Sequence, residues 1–224
     1  VDDQQWLQRA LGCRLDDGAL LTRALTHRSV GQANNERLEF LGDAVLGYII
    51  GAELFRRFPE ADEGRLSRLR VSLVKGSTLA DVARELDLGA QLRLGSGERS
   101  GGGRHRRSIL ADTLEAVIGA IALDRGIEEC RRCVLNIFAT RLQALNLSSA
   151  EKDPKTRLQE FLQARRRPLP EYAVVDSSGE EHCRSFTVRC RVPDSADQAF
   201  GEGSSHRGAE QAAAASLLRG LESA

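Results

Sequence analysis

Over the first two thirds of the chain, apolar residues recur three and four positions apart; over the last third they alternate with polar ones. The two rhythms predict two kinds of structure. From about residue 4 to 146 the helical period dominates, broken by loops at 31–34, at 58–64 and in a glycine- and arginine-rich stretch at 95–107. Leu20, Leu21, Ala24 and Leu25 lead into Thr26-His27-Arg28-Ser29, and segments 65–75 and 78–87 are amphipathic. The segment 127–145 carries the helical stripe onward through Ile127, Val134, Leu135, Phe138, Leu142 and Leu145. No strand alternation intrudes, so residues 1–147 read as one all-α domain.

The pattern changes at 148–152, a short polar linker. Asp153 then offers an N-cap with Pro154 at the first helical position, and Leu158, Phe161 and Leu162 supply the apolar stripe of a helix. Tyr172-Ala173-Val174-Val175, a turn at Ser177-Ser178-Gly179 and the alternation Phe186, Val188, Cys190, Val192 predict antiparallel strands. Phe200-Gly201-Glu202-Gly203 suits the end of a third strand. An alanine-rich helix follows, with Ala209, Ala212, Ala213, Ser216, Leu217 and Leu221 turned inward. Residues 153–224 thus form a small α+β domain of α-β-β-β-α order.

Carboxylates stand out against this background. In Asn35-Glu36-Arg37-Leu38-Glu39-Phe40-Leu41-Gly42-Asp43, three acids fall within an arc of roughly 60° on a helical wheel, opposite Leu38, Leu41, Val45 and Ile49. Like charges at this spacing cost a helix about 0.2–0.5 kcal/mol per pair, so something should compensate for them. Some seventy residues on, Asp112 and Glu115 share a face flanked by Ala116, Gly119 and Ala122, while Leu114, Val117, Ile118 and Ile121 take the other side. Small flanking residues would let another backbone approach closely. If the two faces converge, Glu39, Asp43, Asp112 and Glu115 form an all-oxygen site suited to a hard cation such as Mg2+ or Mn2+ rather than zinc.

Composition sets the remaining bounds. The chain's 224 residues suffice for a medium domain and a small one. No apolar run approaches the roughly 18 residues that span a bilayer, and Val1-Asp2-Asp3-Gln4-Gln5 lacks the features of a signal peptide, so the expected address is cytoplasmic with no membrane partner. Five cysteines at irregular spacing are expected to be free thiols; Cys130-Arg131-Arg132-Cys133 lies in a helix with no second ligand pair to complete a zinc site. With 32 basic and 32 acidic residues the net charge is zero, which by itself argues against a nucleic-acid binder. Locally, Arg99, Arg104, Arg106 and Arg107 cluster in the glycine-rich stretch, and Arg65, Arg68 and Arg70 form a second group. Each cluster is either a solvated face or a set of phosphate contacts.

With both halves read, the chain resembles bacterial ribonuclease III, the double-stranded-RNA endonuclease, along nearly its whole length. Asn35 to Asp43 looks like the family's signature motif and Ser108-Ile109-Leu110-Ala111-Asp112 through Glu115-Ala116 like its second acidic motif. Thr26-His27-Arg28-Ser29, Glu63-Gly64 and Gly95-Ser96-Gly97-Glu98 are similar to further landmarks. Lys152 to Glu160 is similar to the opening of the double-stranded-RNA-binding domain. The resemblance implies a homodimer that hydrolyses both strands of an RNA duplex to 5′-phosphate and 3′-hydroxyl ends, in processing of ribosomal RNA precursors and structured messages, with Mg2+ and no organic cofactor. It implies that Asp43 and Glu115 are catalytic, that Glu39, Asp112 and Glu115 are the principal metal ligands with Asp43 beside them, and that Glu36 and Glu63 are accessory acids. Phe40 would plug into a socket on the other subunit, unless it is plain core packing.

In the small domain the resemblance implies RNA contacts from Gln159 and Glu160 on the first helix, His182 between the first two strands, and Ser204, Ser205 and Arg207 at the start of the last helix, where the helix dipole favours a phosphate. His182 as an ordinary loop residue and Arg207 as a solvated charge remain open. One departure is that His206-Arg207-Gly208 has glycine where family members carry a lysine. Over residues 151–224, eleven lysines and arginines stand against twelve aspartates and glutamates. A non-catalytic duplex-RNA binder on the same scaffold is the competing reading, but it would have no reason to keep mutually repelling acids on two small-residue helix faces. A histidine-aspartate phosphohydrolase is disfavoured, because His27 and His105 are the first domain's two histidines and neither sits in a His-Asp pair.

Overall fold

The computed structural model describes residues 3–145, 153–178 and 184–223. The chain divides into two compact units, 1–150 and 151–224; the linker expected at 148–152 and the His182 loop lie outside the described residues.

The first unit is helical: α1 (Asp3–Leu11), α2 (Gly18–Ala24), α3 (Glu36–Arg57), α4 (Glu63–Val74), α5 (Gly76–Glu85), α6 (Leu88–Gln91), α7 (Ser96–Ser100), a 3-10 turn (Gly103–His105), α8 (Arg107–Ile137) and α9 (Ala139–Gln143). Side-chain caps begin several of them. Asp17 accepts from the amides of Ala19 and Leu20 at the start of α2, and Asp62 from that of Arg65 at the start of α4. The long helices α3 and α8 form the central pair, burying Leu46, Ile49 and Ile50 against Leu114, Val117, Ile118 and Ile121. Each such side chain removed from water contributes about 1.5–3 kcal/mol.

The two helices touch backbone to backbone. A Cβ at Gly42 would stand 1.7 Å from the carbonyl oxygen of Glu115, and one at Gly119 would stand 2.3 Å from that of Leu38. Any larger residue at either position forces the helices apart. The sole acid buried in the unit's apolar interior among the described residues, Glu53, is 2% exposed and is held by Arg56 at 2.8 Å and Arg57 at 2.6 Å. These guanidiniums, Arg56 first, hold its carboxyl down at about 2, as a buried charge requires.

Three expectations need correction. On α3 the inward seam is Leu38, Leu46, Ile49, Ile50 and Leu54, while Leu41 and Val45 are half-buried. The glycine contact rotates the buried face toward Gly42. The helix expected over 127–145 is set off from the preceding stretch by Gly126, whose φ of 79° leaves the helical region, and is interrupted at Phe138, which separates α8 from α9. The stretch 95–107 is not an open loop. Arg99 donates to the Leu94 carbonyl at 3.0 Å, Arg104 to those of Gly89 and Ala90 at 2.9 and 2.8 Å, and Arg106 to Glu98 at 3.0 Å. These arginines brace the local backbone, with Arg104 half-buried and Arg99 and Arg106 exposed.

The second unit comprises α10 (Pro154–Ala164), β1 (Glu171–Ser178), β2 (Ser185–Arg191), β3 (Gln198–Gly203) and α11 (His206–Glu222), with an antiparallel sheet in the order β1-β2-β3. Asp153 caps α10 through the amide of Thr156. Tyr172 pairs with Cys190 and Val188 with Gly201, and β1 bulges between Val174 and Asp176. Both helices cover one face, burying Leu158, Leu162, Val188, Cys190, Val192, Ala209, Ala213 and Leu217. The α11 seam also takes in Ala214 and Leu218, leaving Ala212 and Ser216 half-buried. Gly201 sets this rotation, since a Cβ there would meet the backbone nitrogen of Ala213 at 2.0 Å.

Candidate metal centre

The crossing of α3 and α8 decides where the acids go. Glu39 stands one turn into α3, three residues before Gly42; Asp112 and Glu115 lie on α8 ahead of Gly119. Closing the helices onto their glycines brings Glu39, Asp112 and Glu115 together, each half-buried, with a carboxylate oxygen from each lying within 4.8 Å of the others. The register is held by Asn35, which is 2% exposed at the start of α3. Its side-chain amide donates to Thr113 Oγ1 at 3.4 Å, and the Thr113 hydroxyl donates to the Ile109 carbonyl at 2.7 Å. One buried amide thus ties the first turn of α3 to the residue next to Asp112.

Electrostatics mark the cluster as strained without a counter-charge. Burial, and then repulsion from Asp43, Asp112 and Glu39, push the Glu115 carboxyl up to about 8. Glu39 is raised by burial and by Asp112, Glu36 and Asp43. Asp112 is raised by burial, partly offset by His27 and Arg28. Asp43 is exposed on α3 one turn beyond Glu39 and lies outside the group of three, but its charge reaches both glutamates. Converging carboxylates with no histidine or thiol among them fit a hard divalent cation.

A cavity of about 280 Å³ opens beside Glu39 and Asp112, walled by His27, Arg28, Glu36, Glu98, Arg106 and Ser108. Its wall is built by backbone bonds from His27 to Arg93 at 3.0 Å and from Arg93 to Leu25 at 2.9 Å. The amide of Gly95 adds a bond to the Ser29 hydroxyl at 2.9 Å. The sequence marked Thr26-His27-Arg28-Ser29 and Gly95 to Glu98 as motifs but did not place His27, Arg28 or Arg106 at the acids. Only the tertiary fold does that. The role of Asn35 was also missed, although an asparagine opening an acidic helix was a usable signal.

Of the other candidate residues, Glu36 stands at the edge of this centre and the rest separate from it. Glu36 is exposed, 3.5 Å from Arg28, and accepts from Asn34 at 3.2 Å. Glu63 opens α4, accepts from the Ser67 hydroxyl at 2.7 Å, and lines a different hollow of about 460 Å³ with Gly51, Leu54, Phe55, Leu66 and Arg70. Phe40 is 81% exposed, which removes the core-packing alternative. In the second unit Gln159 and Glu160 are exposed on α10, and Ser204, Ser205 and Arg207 are exposed around the start of α11. Ser205 is the N-cap and accepts from Gly208 at 3.1 Å.

Comparison with known proteins agrees with this architecture. A family model described as ribonuclease-III-like matches residues 17–142, and one described as double-stranded RNA binding motif matches residues 154–221. Ribonuclease 3 of Hahella chejuensis is 60% identical over 215 residues, covering 96% of this chain and 95% of that protein. Ribonuclease 3 of Azotobacter vinelandii is 57% identical, covering 96% and 94%. The crystal structure of the nuclease domain of Campylobacter jejuni ribonuclease III superposes with a TM-score of 0.61 at 39% identity, over 65% of this chain and 100% of that one. A second structure of that domain, concerned with flexibility in the region involved in dimer formation, gives a TM-score of 0.60 at 41% identity over 62% and 98%.

The raised Glu115 carboxyl has a measurable consequence. Because the folded state binds its proton more tightly than the unfolded chain does, this group's contribution to stability is fully present below about pH 4.5 and is lost as pH rises through about 8. In EDTA the melting temperature should therefore fall between pH 5 and 9. Glu115→Gln should flatten that fall and exceed the wild type at pH 9. Discounting for partial exposure leaves about 1 kcal/mol, hence roughly 2–4 °C. Parallel pH profiles for the two proteins in differential scanning calorimetry would refute the assignment.

Proposed function

The chain belongs to the ribonuclease III family and is an endoribonuclease of that type; from that premise we propose that it hydrolyses both strands of double-stranded RNA at the Glu39, Asp112 and Glu115 cluster, leaving 5′-phosphate and 3′-hydroxyl ends. The observation that carries this reading is the meeting of three carboxylate oxygens within 4.8 Å. Glu39, Asp112 and Glu115 would hold Mg2+, or Mn2+ in its place. A cation so held supplies an activated water and offsets the charge of the phosphate and the leaving 3′ oxygen. Occupancy of the site favours the ionised form of Glu115 over the protonated form that burial imposes. Asp43, exposed beside the cluster, is placed to orient the attacking water and accept its proton. Arg28 and Arg106 line the adjoining cavity, each paired with a glutamate there, and offer their guanidinium groups to a phosphate.

The second unit supplies duplex affinity through shape and 2′-hydroxyl contacts. Gln159 and Glu160 meet one minor groove, His182 meets another, and Ser204, Ser205 and Arg207 meet phosphates between them. Arg207 has no ion-pair partner among the described residues and stands at a helix N-terminus, which supports this role. With so few cations, contact with phosphate should be modest. The cellular substrates that the resemblance implies are ribosomal RNA precursors and structured messages.

We place the homodimer contact on the exposed edge of α3, where Phe40 (81% exposed), Tyr48 (65%) and Phe55 (73%) protrude. Two copies of α3 crossing antiparallel about a twofold axis would seat Phe40 of each in the hollow beside Phe55 and Leu66 of the other, with Glu63 at its rim. That the similar Campylobacter jejuni nuclease domain has a region involved in dimer formation supports a dimer.

A labelled perfect RNA duplex should be cut in Mg2+ and only bound in Ca2+ or EDTA. Asp43→Asn and Glu115→Gln should each lose at least about 100-fold in cleavage rate, the upper end of what even outer partners of a metal site cost, while still shifting the duplex on a gel. Cleavage at wild-type rate by either variant would remove that residue from the mechanism. Separately, light scattering should give the wild type twice the mass of the chain and Phe40→Asp the mass of one. A dimeric Phe40→Asp protein would move the interface elsewhere.

A further inference from the structure

One side chain in the cavity beside the acids is fixed more tightly than its place in the fold requires. His27 is half-buried and lines that cavity together with Glu39 and Asp112. Its backbone is already held, the amide donating to the Arg93 carbonyl at 3.0 Å and the carbonyl accepting from the Val30 amide at 3.0 Å. The ring is held as well. The amide of Ser29 donates to Nδ1 at 3.2 Å, and the Ser29 hydroxyl, 2.8 Å from Nδ1, accepts in turn from the amide of Gly95 at 2.9 Å. Close packing keeps this chain of bonds in place, since a Cβ at Gly95 would stand 2.4 Å from the Ser29 carbonyl oxygen. Because a backbone N–H can only donate, Nδ1 is the acceptor and the ring proton is assigned to Nε2. Among the described residues the ring bonds to Ser29 alone, so it ties no helix to another.

We infer that His27 is a catalytic residue of the endoribonuclease, donating a hydrogen bond from Nε2 to a non-bridging oxygen of the phosphate that is cut. This role rests on the reading of Glu39, Asp112 and Glu115 as the cleavage centre. The guanidinium and amide donors around the cavity are engaged: Arg28 with Glu36 at 3.5 Å, Arg106 with Glu98 at 2.9 Å, and the Asn35 amide with Thr113 at 3.4 Å. Nε2–H of His27 and the exposed Ser108 hydroxyl are left for a ligand. With its Nδ1 edge turned to Ser29, the ring has its Nε2 edge free for the cavity. No hydrogen bond joins it to Glu39 or Asp112 among the described residues, so it does not serve to aim a carboxylate. About 280 Å³ of open space lies beside those acids, and a phosphate that reaches them through this space passes the ring. A donor fixed before the substrate arrives needs no reorganisation when charge gathers on the phosphate oxygens, and it therefore favours the transition state over the bound substrate. The proton stays on the ring throughout. Ser29, which holds the imidazole from behind, is by the same logic a positioning residue.

The test compares full-length variants in single-turnover cleavage of a labelled RNA duplex in Mg2+, with duplex affinity in Ca2+ and melting temperature measured alongside. A glutamine amide can place a donor where Nε2 stands, and an asparagine amide where Nδ1 stands. His27→Phe and His27→Asn should cut about 100-fold more slowly, the loss expected when one preorganised donor is removed, and His27→Gln should recover to within roughly 10-fold of the wild type. Duplex affinity and melting temperature should match the wild type in all three. Ser29→Ala should slow cutting by itself and add nothing to His27→Phe, as residues acting through one group do. A further readout needs no metal: imidazole 15N NMR of the metal-free protein in alkaline buffer, with the His27 signals identified by their loss in His27→Gln, should show the proton on Nε2. Wild-type cutting by His27→Phe, equal losses in the glutamine and asparagine variants, a loss that follows duplex affinity, or a ring protonated at Nδ1 would each overturn this role while leaving the acid cluster as the cleavage centre. No cutting by the wild type would overturn that centre and the role of His27 with it.

Discussion

The structure depends on one contact, the crossing of α3 and α8 at Gly42 and Gly119, where backbone meets backbone with no side chain between. A Cβ at either point would fall well inside van der Waals distance of the opposite carbonyl. Helices packed through ordinary side chains stand 8–10 Å apart, roughly. Here the missing Cβ atoms let them approach more closely, and Glu39, Asp112 and Glu115 sit beside the contact on the side facing solvent. The apolar residues beyond it, Leu46, Ile49 and Ile50 against Val117, Ile118 and Ile121, supply the energy that holds the carboxylates in a position their charges oppose.

That opposition is the functional content of the site. Burial raises all three acids, and repulsion from neighbouring carboxylates, Asp43 foremost for Glu115 and Asp112 for Glu39, raises the two glutamates further. Folding has in effect stored an unfavourable charge arrangement that a divalent cation would relieve, which would couple ion binding to stability. Asn35 refines the register, since its amide reaches Thr113 across the helix pair. Asp43 remains exposed at the edge.

Much of this was legible from residue spacing. The two acidic faces, the small flanking residues Ala116 and Gly119, the Asp153-Pro154 helix start and the alternation from Phe186 to Val192 each encode local structure directly, and they led to the family. What sequence periodicity could not supply was rotation and tertiary proximity. The apolar residues of α3 spread beyond a single face, Phe40 and Tyr48 among them, so the choice of Leu46 and Ile50 over Leu41 and Val45 as its buried seam is made by the glycine contact. Phe40, which spacing left divided between core and surface, is exposed because it falls on the far side of that contact. The arginines of 95–107 looked like a charged loop because their carbonyl partners at Gly89, Ala90 and Leu94 lie outside the cluster itself. His27 and Arg28 reach Asp112 only through the bridge between Thr26 and Arg93.

The most direct test is crystallographic, using the anomalous signal of manganese in crystals grown or soaked with Mn2+. The account predicts a peak between α3 and α8, about 2.1 Å from oxygens of Glu39, Asp112 and Glu115, a spacing characteristic of small hard cations. A peak elsewhere on the nuclease unit, or none at saturating Mn2+ with these three side chains turned apart, would contradict it.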